Sequence, residues 1–296
     1  MSTPSVVPAP TETRMFTRGV SRVGMAGFAI GIAIVGLIAL AALIGNALVP
    51  QDPFAQDLNN RLIPPFWMDG SQPGHLLGTD QLGRDYLARL VYGARISLLI
   101  GIMTVITSGA IGITLGVLGG FFGGFVDDVV LFAITTRLSI PVVLVALAVV
   151  GLMGSGLVLV VAVLGLLLWD RFAVVARATT MQVRSLDYVN AAWCAGASTS
   201  HMLIREILPN IASHLAVVAT LEMALAILLE AALSFLGLGV PPPLPSWGLM
   251  IAEGKDYMFF SPWVIMIPGI ALAVLVLGIN LVGDGLRNLL GAERLR

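Results

Sequence analysis

Hydrophobic residues fill most of this chain in long blocks that polar residues interrupt only briefly. Six blocks contain at least the roughly 20 apolar residues that an α-helix needs to cross the hydrocarbon core of a bilayer. They cover residues 23–49, 95–120, 128–151, 155–174, 211–236 and 263–285. Lipid offers no partner to an unpaired backbone group, and no ten-residue alternation indicates a barrel. The pattern therefore predicts an all-α integral membrane protein with six transmembrane helices.

Composition agrees with this fold class. Hydrophobic residues make up 57% of the 296-residue chain and charged residues 11%, whereas a soluble domain has about 25% charged residues. The mean hydropathy is +0.96. A net charge of -1 offers no basic surface to nucleic acid, so we expect no nucleic-acid partner. Cys194 is the single cysteine, which excludes an internal disulfide and a cysteine-based metal site.

The basic residues predict the orientation of the spans. Loops with an excess of lysine and arginine stay in the cytoplasm, so we expect both termini inside the cell. Ten of the 16 basic residues then lie inside: Arg14, Arg18, Arg22, Arg171, Arg177, Arg184, Arg205, Arg287, Arg294 and Arg296.

This orientation divides the chain into segments. A cytoplasmic tail (1–22), rich in Pro and Thr where it begins, precedes the first transmembrane helix (23–49) and an external segment (50–94). The transmembrane core covers 95–285 and contains a cytoplasmic segment (175–210) and an external loop (237–262), and a second cytoplasmic tail (286–296) follows it.

Small residues form a ridge on the second predicted span. Gly112, Gly116, Gly120 and Gly124 recur at every fourth position, which lets another helix approach closely. Such a ridge is also an ordinary feature of transmembrane packing. It therefore predicts a helix contact and no chemistry.

Charged residues inside the predicted spans are candidates for function, because burying a charge in lipid is costly. They are Arg137, Glu222 and Glu230. Glu222 and Glu230 are eight residues apart, so they share roughly one helix face and are candidates to line a translocation path. A buried polar contact with a neighbouring helix explains them equally well.

The sequence lacks the motifs of an enzyme. His75, His201 and His214 lie in three separate segments, and no pair of them has the spacing of helical metal ligands. We find no G-x-S-x-G elbow, no H-E-x-x-H and no G-x-x-x-x-G-K-[ST] phosphate loop. We therefore predict a non-catalytic subunit with no cofactor of its own. If ATP drives it, another chain must bind the ATP.

The cytoplasmic segment has an unusual pattern around residues 186–196. Leu186, Val189 and Trp193 recur at positions i, i+3 and i+7, which predicts a short helix with one apolar stripe. Gly196 should end this helix, because glycine enters the left-handed conformation of a helix C-terminus without steric cost.

A second short helix should follow this turn. Ser198 or Thr199 can cap its start, and Pro209 is expected to break or bend the chain before the fifth span. A helix, a sharp turn and a second helix suit a groove on a cytoplasmic partner. An amphipathic segment lying on the surrounding membrane lipid is the alternative.

This stretch resembles the "EAA" loop of binding-protein-dependent ABC importer permeases. The family pattern is E-A-A, three residues, G, then about nine residues to an I-x-L-P ending. Asn190 replaces the usual glutamate, and Glu206 occupies the isoleucine position. The matching positions are Asn190, Ala191, Ala192, Gly196, Leu208 and Pro209.

Three more segments are similar to the dipeptide and oligopeptide branch of that superfamily, the DppC/OppC type. They are "HLLGTDQLGRDYLARLVYGARISLLIG" at 75–101, "EAALSFLGLGVPPPLPSWGLMIAEG" at 230–254 and "PGIALAVLVLGINLVGDGLRNLL" at 268–290. In "LFAITTRLSIP", residues 131–141, the Arg and Asp that the family usually carries just before S-I-P are absent. Arg137 stands elsewhere in this segment, without an evident partner.

The resemblance implies a type I ABC importer permease in a bacterial cytoplasmic membrane. Its implied partners are a second, DppB/OppB-like permease, two cytoplasmic ATP-binding subunits or domains that hold ATP and Mg²⁺, and an extracytoplasmic solute-binding protein. The solute would be a dipeptide, an oligopeptide or a related small solute such as glutathione or nickel. An ATPase-independent channel or secondary transporter is the alternative function.

The external segments contain candidates for docking the binding protein. Thr79 or Asp80 can cap a short external helix, and Asp85 and Arg89 are spaced to form an i, i+4 ion pair. A helix cap explains these residues without any docking. The same two interpretations apply to Trp247, which can also anchor its helix at the membrane interface. The candidate docking residues are Asp80, Arg84, Asp85 and Trp247.

Overall fold

The computed structural model describes residues 12–293, and this part of the chain is helical, with a lone β-bridge between Thr79 and Asp85. The first six helices are α1 (Glu12–Leu48), α2 (Tyr86–Phe122), α3 (Gly124–Leu138), α4 (Val142–Met153), α5 (Leu157–Leu167) and α6 (Asp170–Arg184). The others are α7 (Asp187–Cys194), α8 (Thr199–His201), α9 (Leu208–Phe235), α10 (Trp247–Gly254) and α11 (Trp263–Glu293). A π-helical turn, Met202–Ile207, joins α8 to α9, and 3-10 turns occupy Leu58–Asn60 and Lys255–Tyr257.

Within residues 12–293, five stretches are long and apolar enough to cross a membrane, and α3 with α4 makes a sixth if the bent pair counts as one span. The five are Met25–Gly45, Tyr86–Phe122, Leu157–Arg184, Thr199–Phe235 and Trp263–Leu290. The all-helical membrane fold is therefore confirmed.

The third predicted span, residues 128–151, is not one helix. The axes of α3 and α4 differ by 79° across the break at residues 139–141. Pro141 has no amide hydrogen and biases the preceding Ile140 away from the helical conformation, so the chain changes direction there.

Several predicted boundaries also shift. Helix α1 begins at Glu12, inside the segment that we predicted as a tail, and residues 1–11 of that tail lie outside the described residues. Helix α2 begins at Tyr86 rather than near 95, because the Asp85 carboxylate caps it by accepting the amide hydrogen of Ala88 at 2.7 Å. The predicted cytoplasmic segment, 175–210, begins within α6, which continues to Arg184.

The glycine ridge of α2 packs against α6. A Cβ added at Gly112 would lie 2.2 Å from the carbonyl oxygen of Trp169, and one at Gly116 would lie 2.5 Å from that of Ala173. Gly120 approaches α6 in the same way. Gly124 does not belong to this contact, because α2 ends at Phe122 and Gly124 begins α3 with a φ of +51°.

Helix α9 lies at the centre of the fold, where it contacts α2, α6, α10 and α11. Buried side chains of α2, α6 and α9 form one hydrophobic cluster together with Val189 and Met202 from the segment between α6 and α9. Helix α1 packs mainly on α11. The central helix therefore connects the 186–208 region at one end with α10 at the other.

Candidate functional site

We name residues 186–208 the coupling segment. Its first helix, α7, begins after Leu186, as the apolar stripe predicted. Val189 is fully buried, and Trp193 stacks on Phe121 of α2 with the ring centroids 6.2 Å apart. Leu186 and Trp193 remain 44% and 46% exposed. The stripe thus holds α7 on the membrane core through Val189 and leaves apolar surface uncovered on both sides of it.

The turn at Gly196 is confirmed. Gly196 has a φ of +83°, its amide donates to the carbonyl of Trp193 at 2.9 Å, and the amide of Ala197 donates to that of Ala192 at 3.1 Å. This pair of bonds is the Schellman arrangement that ends a helix at a left-handed residue. Space around Gly196 is open, since an added Cβ would have no neighbour within 4 Å. Backbone conformation, rather than crowding, therefore favours glycine here.

Ser198 is the cap of the second helix, since its hydroxyl accepts the amide hydrogen of His201 at 3.3 Å. The expected break at Pro209 does not occur. Pro209 lies in the first turn of α9, and the preceding turn is π-helical, with the amide of Leu208 donating to the carbonyl of Leu203. The side chain of Asn210 bonds the carbonyl of Glu206 at 2.5 Å. Wider winding before the proline therefore lets the helix continue from α8 into α9.

The coupling segment has an inner and an outer face. Val189, Met202 and Ile207 are fully buried on the inner face. Partial burial, and to a smaller extent the Glu206 carboxylate, raises the pKa of Tyr188 on the outer face. The outer face is exposed. It comprises Leu186, Tyr188, Asn190, Ala191, Trp193, Cys194, Ile204 and Leu208, with Ala192 half-buried beside them and Pro209 exposed just beyond, and the charged side chains of Asp187 and Arg205 are exposed on the same segment.

The two acidic residues of α9 are enclosed by other parts of the chain. The Glu222 carboxylate is fully buried and lies 3.2 Å from the Arg171 guanidinium of α6. Glu230 is also fully buried and accepts hydrogen bonds from the hydroxyls of Ser234 at 2.7 Å and Ser246 at 2.8 Å. Each acid makes a buried polar contact, and neither carboxylate is exposed on the surface of this chain. Their role in a path stays a prediction.

Arg137 has a partner that its position in the sequence did not indicate. Its guanidinium donates to the carbonyl of Leu167, where α5 ends, with an Nε to oxygen distance of 2.6 Å. It also lies 3.8 Å from the carboxylate of Asp170. A second ion pair, between Arg177 and Asp127, joins α6 to α3. The sequence does not single out Asp127 and Asp170, because both lie near the starts of helices, where acidic residues are common.

The external candidates form a buried ion network. The Asp80 carboxylate accepts from Arg84 at 2.6 Å and from Arg89, and Arg89 reaches Glu253 of α10 at 2.8 Å. The predicted Asp85–Arg89 pair is therefore wrong. Asp80 does not cap a helix, because its oxygens accept the two guanidinium groups and the amides of residues 82 and 84. Sequence spacing did not reveal Glu253, which is distant in the chain.

Asp85 and Trp247 are buried as well. Asp85 bonds His75 at 2.8 Å, and the Trp247 indole donates to the carbonyl of Leu90 at 2.8 Å. Asp80, Arg84, Asp85 and Trp247 are each at most 4% exposed. These four side chains fix the external segment on α2 and α10, and they are too buried to contact a binding protein. Docking of a binding protein stays a prediction for the external segment as a whole.

The family profile described as "Binding-protein-dependent transport system inner membrane component" matches residues 112–295, which include the coupling segment and α9. The chain belongs to this family. It is therefore a multi-pass protein of the cytoplasmic membrane and the permease subunit of an ABC importer.

The relatives of the permease include proteins named for peptide transport. It is 42% identical over 260 residues to the di/tripeptide transport system permease protein DppC of Pseudomonas aeruginosa, covering 88% of this chain and 86% of the relative. It is 36% identical over 264 residues to the dipeptide permease DppC of Haemophilus influenzae, covering 89% and 90%. The glutathione permease GsiD of Pectobacterium atrosepticum is 39% identical over 222 residues, covering 75% and 74%.

A solved structure shares the fold. The permease resembles a chain of the inward-facing MetNI methionine ABC transporter with a TM-score of 0.55 and 18% identity, covering 66% of this chain and 93% of that one. At this identity, the similarity shows the type I importer fold alone.

Proposed function

We propose that the permease forms, with a second homologous permease, the path by which dipeptides or short oligopeptides enter the cell. The observation that carries this proposal is the 42% identity to a di/tripeptide permease over 88% of the chain. The relative named for glutathione supports the same class, since glutathione is itself a short peptide. A peptide brings a free amine and a free carboxylate to the membrane, so its path must accommodate charge.

Two cytoplasmic ATP-binding subunits would bind the permease pair, and one of them would contact the coupling segment of this chain. Its exposed outer face supports this role, because aromatic and aliphatic side chains such as Tyr188 and Trp193 are typical of the centres of protein interfaces. ATP and Mg²⁺ would be bound by those subunits. The Schellman turn at Gly196 would set the angle between α7 and α8, and so the shape presented to the partner.

Movement of the coupling segment would pass directly into the core. Helix α8, the π-helical turn and α9 form one span, Thr199–Phe235, that reaches the two buried acids. When the ATP-binding subunits close, this helix would move as a unit, so that the path alternates between outward and inward access. Such coupling requires that the two states differ in their contacts at the coupling segment.

Asn190 gives this coupling a particular form. The residue is exposed on α7 where the family pattern usually has glutamate. Its amide carries no charge, so a salt bridge from this position to the ATP-binding subunit is not available. Packing of the outer face and the turn at Gly196 would transmit the force instead.

The test is reconstitution of the permease with its second permease, both ATP-binding subunits and the binding protein in proteoliposomes. We expect dipeptide uptake that requires ATP, and ATP hydrolysis that peptide-loaded binding protein stimulates. Uptake at the full rate without the ATP-binding subunits would favour a channel or a secondary transporter. Stimulation by another solute, but by no peptide, would refute the substrate class.

A further inference from the structure

Arg171 occupies an unusual position for an exposed charge. It is the second residue of α6, within the 28-residue span Leu157–Arg184. At a rise of about 1.5 Å per residue, it lies about 21 Å from Leu157 along that span. Its side chain is nevertheless 57% exposed on this chain. Because an arginine in hydrocarbon is among the most costly side chains to insert, this face must meet water or protein rather than lipid.

The Arg171 guanidinium forms an ion pair with a buried acid on its inner side. One terminal nitrogen, Nη1, lies 3.2 Å from the Glu222 carboxylate, and Glu222 is completely buried. An arginine has five N–H donors. Among the residues that the structure describes, Glu222 is the one ion-pair partner of Arg171. Its outward donors are therefore free to bind a ligand.

The neighbouring charges leave this exposed face positive. Asp170, the acid next in sequence, is 6% exposed and lies 3.8 Å from Arg137, which also bonds the end of α5. Both acids of the group are thus buried and directed at arginines within the protein. Arg171 is the exposed member, and a positive group in a water-filled path attracts an anion.

We propose that Arg171 is a carboxylate-binding residue of the translocation path, positioned by Glu222, and that it receives the C-terminal carboxylate of the passing peptide. The proposal rests on the proposed function for its substrate. A carboxylate suits the site because a guanidinium can donate two parallel hydrogen bonds to it. Glu222 would orient the Arg171 guanidinium without touching the peptide, and this role explains why a buried acid lies in the span Thr199–Phe235.

The first test measures the charge preference of the site without any peptide. Val174, one turn further along α6, is 43% exposed. A Val174→Cys variant, made with Cys194→Ser in the full complex, is treated with a negatively charged and a positively charged methanethiosulfonate reagent. We expect the ratio of the two rates to favour the anionic reagent, and Arg171→Gln to lower this ratio by roughly tenfold. No reaction with either reagent, or an unchanged ratio, overturns the proposal.

The second test separates ligand binding from simple neutralisation of Glu222. Arg171→Gln alone leaves a buried acid unpaired, whereas Arg171→Gln with Glu222→Gln removes both charges. We expect the double variant to assemble and resist heat like the wild type. It should take up dipeptide about tenfold more slowly, because one charged contact with the peptide is lost. Arg287→Gln, which alters an exposed arginine of α11, should leave uptake unchanged.

Two outcomes overturn the proposal here. Wild-type uptake by the double variant would make the pair purely structural. Loss of the second permease from the purified complex on Arg171→Gln would assign this arginine to the subunit interface. A wild-type complex that transports no peptide would instead refute the proposed function, while the reagent ratio would still decide whether the site prefers anions.

Discussion

The Arg137 guanidinium donates to the backbone oxygen of Leu167, with 2.6 Å between Nε and that oxygen. Leu167 is the last residue of α5, where a carbonyl has lost its partner within the helix. Inside a membrane, an unpaired carbonyl is costly. One arginine from α3 therefore bonds a carbonyl at the break between α5 and α6, within the span Leu157–Arg184.

Replacing Arg137 should destabilise the permease. Arg137→Gln shortens the side chain and removes the charge, so the Leu167 carbonyl loses its charged donor. We expect the free energy of unfolding to fall by about 1–3 kcal/mol, measured by unfolding in mixed micelles of dodecylmaltoside and SDS. Arg287→Gln serves as the control, because Arg287 is exposed. Equal stability of the two variants would show that another group satisfies this carbonyl.

The turn at Gly196 should control coupling. Its φ of +83° costs a residue with a Cβ about 1–2 kcal/mol, so Gly196→Val should distort the coupling segment without preventing insertion. Peptide-stimulated ATP hydrolysis in the reconstituted complex should be lost. Ala195→Val is the matched control, since Ala195 is exposed and has a φ of -77°. Normal stimulation in Gly196→Val would contradict the role of the turn.

The native Cys194 reports contact with the ATP-binding subunits. Cys194 is exposed on the outer face of the coupling segment. A membrane-impermeant maleimide applied from the cytoplasmic side should label it quickly in the permease pair and at least roughly tenfold more slowly in the full complex, since a buried interface excludes the reagent. Mass spectrometry of the intact chain measures the labelling. Identical rates in the two preparations would argue against docking on this face.

The buried network around Asp80 should be essential for the external segment. Asp80→Asn leaves Arg84 and Arg89 with one shared acid, Glu253, and unpaired buried charges are costly. We expect the free energy of unfolding to fall by about 3 kcal/mol and proteolysis within residues 50–85 to become faster. Asp69→Asn provides the control, because Asp69 is exposed. If both variants resist protease like the wild type, the network is dispensable.

The contact between α2 and α6 should not tolerate a methyl group. In Gly116→Ala, the new Cβ would lie 2.5 Å from the carbonyl oxygen of Ala173, and such overpacking costs about 1–3 kcal/mol. Gly36→Ala in α1 has no neighbour within 4 Å of the new Cβ, so its better helix propensity should stabilise by roughly 0.5–1 kcal/mol. The same micelle unfolding assay distinguishes these opposite signs.

Local chemistry made the coupling segment predictable from sequence. Gly196 ends α7 and Ser198 caps α8 as expected, because both roles depend on the conformation and hydrogen bonds of adjacent residues. Pro209 does not break the helix, since a π-helical turn just before it accommodates the ring. Propensity describes proline in an ordinary helix and does not reveal a change of winding.

Contacts between distant residues were less predictable. The spacing of Gly112 and Gly116 identified a packing face, but periodicity does not say which helix covers it. Arg89 illustrates the same limit, because its partners are Asp80 and Glu253 rather than the acid four residues before it. Arg171 looked like an ordinary cytoplasmic charge until the structure placed Glu222 beside it.

The continuous helix from α8 to α9 has a mechanical consequence. Its 37 residues from Thr199 to Phe235 span about 54 Å, so tilting the helix by one degree about one end displaces the other by roughly 1 Å. Glu230 near the far end bonds Ser246, the residue that caps α10. A rotation of the coupling segment by one degree, too small to break a hydrogen bond within the helix, would thus move the end that contacts the outer loop by roughly 1 Å.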